Sequence, residues 1–378
     1  NNHNNNIIND ETKQNINIHS TNNEVIEGKT VFIENPDGVE FKDFIESDEA
    51  YKKAMNYMDE NGYLVIKNVI SKNDIKRAKS LLWDFLEGLK SGINRDDITT
   101  WNNNNWPQRI YNGLIAFHGI GQSRFLWYLR GHNNIVNMFK RIYNTNKLLT
   151  SFTGCGVFRP YKYNYDWKTK DDGWLHIDQN PLRNPNFELY QGFINLVDVT
   201  KHCGGFYCIP KSHKHFKDIG KRNENKLKRC KEIFMIPKYD PVFGMERAIL
   251  GVNAGDFVLW DSRTVHSNIS AQLTPKEINN IKRNQFNPNY NWDLIRITGI
   301  ICMVPISKVP KWKRQDLIIK RKNAVKNMET TSHNPLLYLP TQTNPRSMYR
   351  QNGITIQVSQ NPKNWRLNKQ QWRLVTGN

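Results

Sequence analysis

The sequence predicts a mainly β fold with helical flanks, an α+β chain built on a double-sheet sandwich or barrel. Three observations carry this prediction. Between about residues 150 and 305, short apolar runs of strand length alternate with Gly, Pro and Asn breaks, the signature of a two-sheet all-β core. Residues 40–100 and 123–143 instead carry apolar side chains at helical spacing. Beyond residue 305 the pattern returns to helix and loop.

Taken in order, residues 1–30 are polar and Asn-rich. They bury too little apolar surface to order themselves, so residues 1–40 are expected to form a disordered tail. Residues 41–150 form a helical N-terminal part. Lys52 to Asn61 is an amphipathic helix stopped by Asn61-Gly62, and Tyr63 to Lys67 is a short strand. Ser71 caps a second helix that lines up Ile75, Ala78, Leu81, Leu82, Phe85 and Leu89 on one stripe. Residues 123–143 read as a third helix, with Phe125, Leu129, Ile135, Phe139 and Ile142 among its apolar positions. Residues 151–305 are the β core, interrupted at 270–292 by a polar loop with a short helix at Pro275 to Arg283. Residues 306–378 form a basic extension in which Trp312 to Met328 can be helical. A chain of 378 residues with 11 Trp, 15 Tyr and 17 Phe can bury a substantial core, and one elaborated domain accounts for it better than two.

The most informative residues are His176-Ile177-Asp178 and, 90 positions later, His266. Successive side chains on a strand alternate faces, so His176 and Asp178 point the same way. The run Gly255 to Trp260 reads as a buried strand opened by a Gly-Asp turn, with His266 at or just past its end. Two imidazoles and one carboxylate can hold an iron(II) on one face and leave the opposite face open for chemistry. A His-x-Asp triplet alone is common by chance, and a single His after a strand is usually satisfied by its surroundings. Context decides.

That context is a series of motifs in a fixed order. Gly173-Trp174-Leu175-His176-Ile177-Asp178-Gln179-Asn180-Pro181 resembles the proximal metal motif of the phytanoyl-CoA dioxygenase-like family. Tyr190 to Asp198, the turn Gly204 to His213, Gly255 to His266, and Arg296 to Pro305 resemble its later motifs, so the likeness spans roughly residues 55–340. The resemblance implies a double-stranded β-helix (jelly-roll, cupin-like) core. It implies an iron(II)- and 2-oxoglutarate-dependent dioxygenase that turns 2-oxoglutarate into succinate while oxidising a substrate carbon. By the same resemblance His176, Asp178 and His266 bind iron, and Arg296 pairs with the far carboxylate of 2-oxoglutarate. A planar guanidinium suits that task because it can meet a carboxylate with two parallel hydrogen bonds. Relatives that halogenate replace the carboxylate with a small residue, so Asp178 implies hydroxylation.

Arg296 follows His266 by 30 positions, farther than in many relatives, and the 270–292 loop accounts for the gap; such insertions are thermodynamically cheap. Arg263 is the rival, but its odd spacing from His266 turns it to the other face of a strand. Gln191, mid-strand among apolar residues, fits either a contact to 2-oxoglutarate or substrate, or a buried amide satisfied by backbone. Gln179 and Asn180 adjoin the metal motif at the mouth of the site. Trp174 and Trp260 read as core packing, and His213 and His215 as turn residues. His118, His132, His202 and His333 fit no pattern.

The five cysteines form neither a paired framework nor a zinc pattern, which suits a reducing, cytoplasmic setting. No apolar run reaches the roughly 18–20 residues of a membrane helix, and no secretory h-region is present. Residues 307–378 hold 14 Lys or Arg against 2 Asp or Glu, so this segment carries most of the net charge of +19. That excess suits a solvated face, the rim of a pocket for an anionic substrate, or a nucleic acid. No DNA- or RNA-binding motif supports the last. The expected partners are a small-molecule, lipid or acyl substrate and dioxygen. Two other readings stay open: an oxygenase that modifies nucleic acid or protein, and a non-catalytic binding module on the same fold.

Overall fold

The computed structural model describes residues 27–107, 113–170, 174–286, 292–341, 349–351 and 354–378. Two sheets dominate it. One orders β1 (Thr30–Glu34), β11 (Arg247–Gly251), β9 (Gly205–Cys208), β13 (His266–Ile269), β7 (His176–Ile177) and β10 (Phe234–Met235). The other orders β2 (Gly38–Glu40), β3 (Tyr63–Lys67), β12 (Phe257–Asp261), β8 (Tyr190–Asn195), β14 (Arg296–Ile300), β6 (Cys155–Phe158) and β4 (Leu114–Ile115). Two short pairs complete the β structure: β5 (Leu148–Thr150) with β15 (Met303–Pro305), and β16 (Tyr349–Gln351) with β17 (Ile354–Ile356). The crossovers between non-consecutive strands, with mainly antiparallel pairing, make this a jelly-roll core with helical flanks.

Alternation along the strands sorts the core into layers. Tyr63, Val65, Val258, Trp260 and Phe193 of the seven-stranded sheet meet Phe206, Cys208, Ala248 and Leu250 of the six-stranded sheet in one buried cluster. Leu64, Ile66, Phe257 and Leu259 point the other way and pack against helices. Those helices are α1 (Phe41–Glu46), α2 (Asp48–Asn61), α3 (Lys72–Gly88), α4 (Arg124–Arg130) and α5 (Asn133–Tyr143). On the far side of the six-stranded sheet, Ile177, Tyr207, Ile249 and Val265 pack under Phe216 and Ile219 of α6 (Phe216–Arg222) and Leu227 of α7 (Glu224–Leu227). α8 (Pro275–Arg283) occupies the expected inserted loop, started by a Thr274–Glu277 capping box with Pro at its first turn. Residues 287–291 of that loop lie outside the described residues.

Local chemistry explains the helix ends. Ser47 accepts the Ala50 N–H to start α2, four residues earlier than Lys52, and Gly62 at φ +80° ends it. Ser71 and Asp74 form a reciprocal capping box at α3. The single helix expected over 123–143 is two. Gly131 ends α4, and the His132 ring nitrogen accepts the Asn134 N–H to start α5.

The expected tail also differs. Residues 1–26 lie outside the described residues, but Thr30–Glu34 pairs in parallel with Arg247–Gly251, and Gly38–Glu40 with Val65–Lys67. The half-buried Val31, Phe32 and Ile33 give that stretch apolar side chains to pack on both faces of the strand.

The basic C-terminal segment is packed into the body through α9 (Lys311–Lys326) and α10 (Lys369–Thr376). Arg321 of α9 is 3% exposed. It donates to the Thr150 carbonyl at 2.6 Å and to Leu374 and Val375, in the last turn of α10, at 3.1 and 2.8 Å. A cation over the carbonyls that a helix end leaves unpaired is favourable, and the guanidinium also lies 4.2 Å from the Phe152 ring centroid. Among the described residues no helix is long and apolar enough to cross a membrane. Arg321→Met is expected to lower unfolding stability in urea by about 2–3 kcal/mol, because it strands buried carbonyls. Exposed Lys322→Met should change it by less than about 0.5 kcal/mol. Equal effects would contradict the clamp.

Candidate metal and co-substrate site

The site begins with strand register. β13 pairs antiparallel with β7, and His266 lies directly opposite His176. Cross-strand partners on one face stand side by side, and the two imidazole centroids are 4.5 Å apart. His266 therefore opens a strand of the six-stranded sheet; it does not end the Gly255–Trp260 run. The turn Ser262–Val265 carries the chain from β12 across to the other sheet. Asp178, just past β7, completes the group. His176 Nε2 lies 3.3 Å from Asp178 Oδ1 and His266 Nε2 lies 3.3 Å from Asp178 Oδ2. All three residues are buried, and their ligand atoms fall within 4.8 Å of one another. Gly173 of the proximal motif lies outside the described residues.

Each ligand is oriented from behind. His176 Nδ1 meets the Trp174 carbonyl and His266 Nδ1 the Thr264 carbonyl, both at 2.9 Å. A carbonyl only accepts, so Nδ1 carries a proton in both rings; when the rings are neutral, Nε2 is the lone-pair donor that faces the centre, and when they are charged it donates to Asp178. Gln191 Nε2 donates to Asp178 Oδ2 at 2.8 Å. Trp174 stacks on His176 with 4.8 Å between centroids, and Trp260 and Phe206 pack on His266 at 4.9 and 5.8 Å.

Electrostatics follow from burial. Burial works against the Asp178 carboxylate, yet the imidazoles of His333 and His176 and hydrogen bonds from His176 and His266 hold it well below its ordinary range. Burial depresses His176 too, but the adjacent Asp178 more than reverses this, so its net shift is upward. For His266, burial and then His176 dominate, and the net shift is downward.

Arg296 supplies the second half of the site. It projects from β14, fully buried, with its guanidinium over Phe158 and Phe193 at 5.6 and 5.2 Å. Nη2 donates to Asn268 Oδ1 at 3.1 Å, while Nε and Nη1 have no hydrogen-bond partner. Burial pushes its pKa down to about 10. An unpaired buried ion costs several kcal/mol, and ring contacts of about 0.5–2 kcal/mol each return only part of that. The guanidinium is thus left incompletely satisfied without an anion. A dicarboxylate reaching from the triad to Arg296 meets that requirement, and a donor set of two nitrogens and one carboxylate suits iron(II).

The structure separates the other candidates. Arg263 turns away and grips Asp261 with Nε at 2.9 Å and Nη2 at 2.6 Å. Gln179 holds the Asn184 and Asn186 carbonyls and Ser262, and Asn180 holds Leu227 and Cys230, so both brace loops. His213 is bonded to the Asp59 carbonyl at 2.9 Å. Sequence reasoning missed Asn268 and His333. Asn268 stands two residues beyond His266 on β13 and so shares its face, a signal that was available. No local pattern marks His333, whose imidazole favours the charged form of Asp178.

The family model described as phytanoyl-CoA dioxygenase (PhyH) matches residues 58–272. "Ava biosynthesis cluster protein O" of Aspergillus versicolor is 24% identical over 267 residues, covering 68% of this chain and 79% of that protein. A "Putative phytanoyl-CoA dioxygenase" of Dictyostelium discoideum is 23% identical over 324 residues, covering 76% and 84%. Among solved structures, GlcNAc Inducible Gene 2 of Candida albicans is similar in fold, with a TM-score of 0.51 and 13% identity over 92% of this chain and 83% of that one.

Redox-inert manganese(II) should occupy the same three ligands. At a free concentration one hundred times its Kd it is expected to raise the unfolding free energy by about 2.7 kcal/mol. The gain should vanish in Asp178→Ala and His266→Ala. Stabilisation retained in both variants would place the metal elsewhere.

Proposed function

Because the chain belongs to the phytanoyl-CoA dioxygenase family, we infer how its own residues carry that family's chemistry. It is a non-haem iron(II)- and 2-oxoglutarate-dependent dioxygenase that acts with dioxygen on a small molecule. The bound iron supplies the oxidising chemistry, at the expense of 2-oxoglutarate and dioxygen.

In this reading His176 Nε2, His266 Nε2 and the Asp178 carboxylate hold the metal. The Trp174 and Thr264 carbonyls fix the two imidazoles, and Gln191 fixes the carboxylate. Arg296 receives the far carboxylate of 2-oxoglutarate on Nε and Nη1, with Asn268 holding the third nitrogen in place. Phe158 and Phe193 keep water from the pair, which strengthens it. The carboxylate at 178 fills the place a halide would need, which favours hydroxylation. Residues 41–150, 151–305 and 306–378 act as parts of one catalytic unit, a reading supported by the Arg321 clamp. The five unpaired cysteines favour a reducing, cytoplasmic setting.

The observation that carries the proposal is the fully buried Arg296 with two unpartnered nitrogens beside a convergent His-Asp-His group. Purified protein with iron(II) is expected to convert 2-oxoglutarate to succinate. Arg296→Met should raise the KM for 2-oxoglutarate by about tenfold to a hundredfold, the loss expected for a charge-assisted hydrogen-bonded pair. An unchanged KM would assign the anchor to another residue.

A further inference from the structure

The basic segment after the β core has its most unusual surface on α9. Trp312 is 79% exposed, the highest value among the large apolar side chains of the described residues, and Ile319 is 49% exposed. At about 3.6 residues per turn, positions seven apart fall nearly on one line, so both side chains stand on the crest of the helix. The opposite face is set into the body through Leu317, Arg321 and Ala324, all buried. The hydrogen bonds from Arg321 to Thr150, Leu374 and Val375 fix the helix in this orientation. Turning the indole inward would break them.

Lysines flank the crest. On the same helical projection Lys311, Lys322 and Lys326 lie to one side and Lys313 and Lys320 to the other, and all five are exposed. Residues 311–326 hold seven Lys or Arg against a single acidic residue, Asp316. Asp316 pairs with Lys320 at 2.8 Å, and the Lys313 ammonium lies 4.7 Å from the Trp312 ring centroid. Lys311, Lys322 and Lys326 have no carboxylate partner among the described residues. An apolar line between rows of cations fits a surface that is anionic on the outside and apolar just beneath.

We propose that the crest of α9 docks the protein on an anionic lipid bilayer. Trp312 and Ile319 enter the headgroup layer, and the flanking lysines meet the lipid phosphates and carboxylates. This surface uses none of the residues of the metal and co-substrate site and does not depend on how that site is read. Other occupants suit the face less well. Protein interfaces are depleted in lysine. A single nucleic-acid strand calls for successive aromatic platforms along a groove, whereas Ile319 offers no ring and a helix crest is convex. A solvated basic face gains nothing from an indole held in water.

The test is co-sedimentation of the full chain with vesicles of phosphatidylcholine alone and of equimolar phosphatidylcholine and phosphatidylserine. The protein is expected to bind the mixed vesicles and not the neutral ones, with an affinity that falls as salt is raised. A lysine near such a surface is worth about fivefold in partitioning, so Lys311→Gln/Lys322→Gln/Lys326→Gln should bind about a hundredfold more weakly. Trp312→Ala, which leaves the net charge unchanged, should cost about tenfold. The control Lys42→Gln/Lys52→Gln/Lys53→Gln removes the same charge from exposed positions on α1 and α2, which pack on β2 and β3. It should stay within about twofold of wild type, because charges far from the contact are screened. Every replaced side chain except Trp312 is a surface lysine, and Trp312 is itself exposed, so urea unfolding of all three variants should match wild type. Binding to neither vesicle, equal binding to both, either α9 variant matching wild type, or a loss as large in the control overturns the proposal. A single-stranded oligonucleotide that binds more tightly than the mixed vesicles, with the same dependence on Trp312, overturns it too and gives the face to nucleic acid.

Discussion

The pairing of β13 with β7 is the constraint on which the rest depends. It sets His266 opposite His176 and so makes two residues 90 positions apart into neighbours. Because side chains alternate along a strand, a slip of one residue would send His266 to the outer face with Val265, and the site would be lost. The register is held from outside the site. Val265 and Ile177 are fully buried in the cluster under α6, and Phe206 and Trp260 close over His266 from within. Core packing therefore fixes the candidate metal site through residues that are not themselves part of the triad.

The two sheets divide the labour. The six-stranded sheet and the residue after β7 present His176, Asp178 and His266, while the seven-stranded sheet presents Gln191 and Arg296. The hydrogen bond from Gln191 to Asp178 and the one from Arg296 to Asn268 join the two across the interior. Arg296 shows the cost of this arrangement. Burying a guanidinium with two unmet nitrogens sacrifices stability, which an anionic partner would restore.

Much of this was legible in the residues, and the physical reason is locality. His176 and Asp178 announce themselves because strand alternation couples positions two apart. Ser71 with Asp74, and Gly62, mark helix ends because capping is settled within one turn. The break at Gly131 and His132 hid behind continuous helical spacing, since the two helices keep the same apolar face buried. Residues 30–40 were masked by the composition before them. Asn268 needed only the spacing rule already applied to His176 and Asp178. His333 and the Glu232 it faces were beyond reach, because the segment after α9 and the loop after α7 meet only in the folded chain. The basic C-terminal segment was legible in part: Lys311, Lys313, Lys320, Lys322 and Lys326 are exposed, as its net charge suggested, whereas Arg321 lies inside, bonded to carbonyls.

The proposed chemistry requires a single metal and a single keto diacid to share the space between the sheets. A crystal structure of the protein grown without oxygen, with manganese(II) and 2-oxoglutarate, tests it most directly. The predicted result is one metal bonded to His176 Nε2, His266 Nε2 and Asp178, with the far carboxylate of 2-oxoglutarate on Arg296. Metal bound away from these ligands, or a co-substrate whose carboxylate leaves Arg296 unpaired, would contradict it.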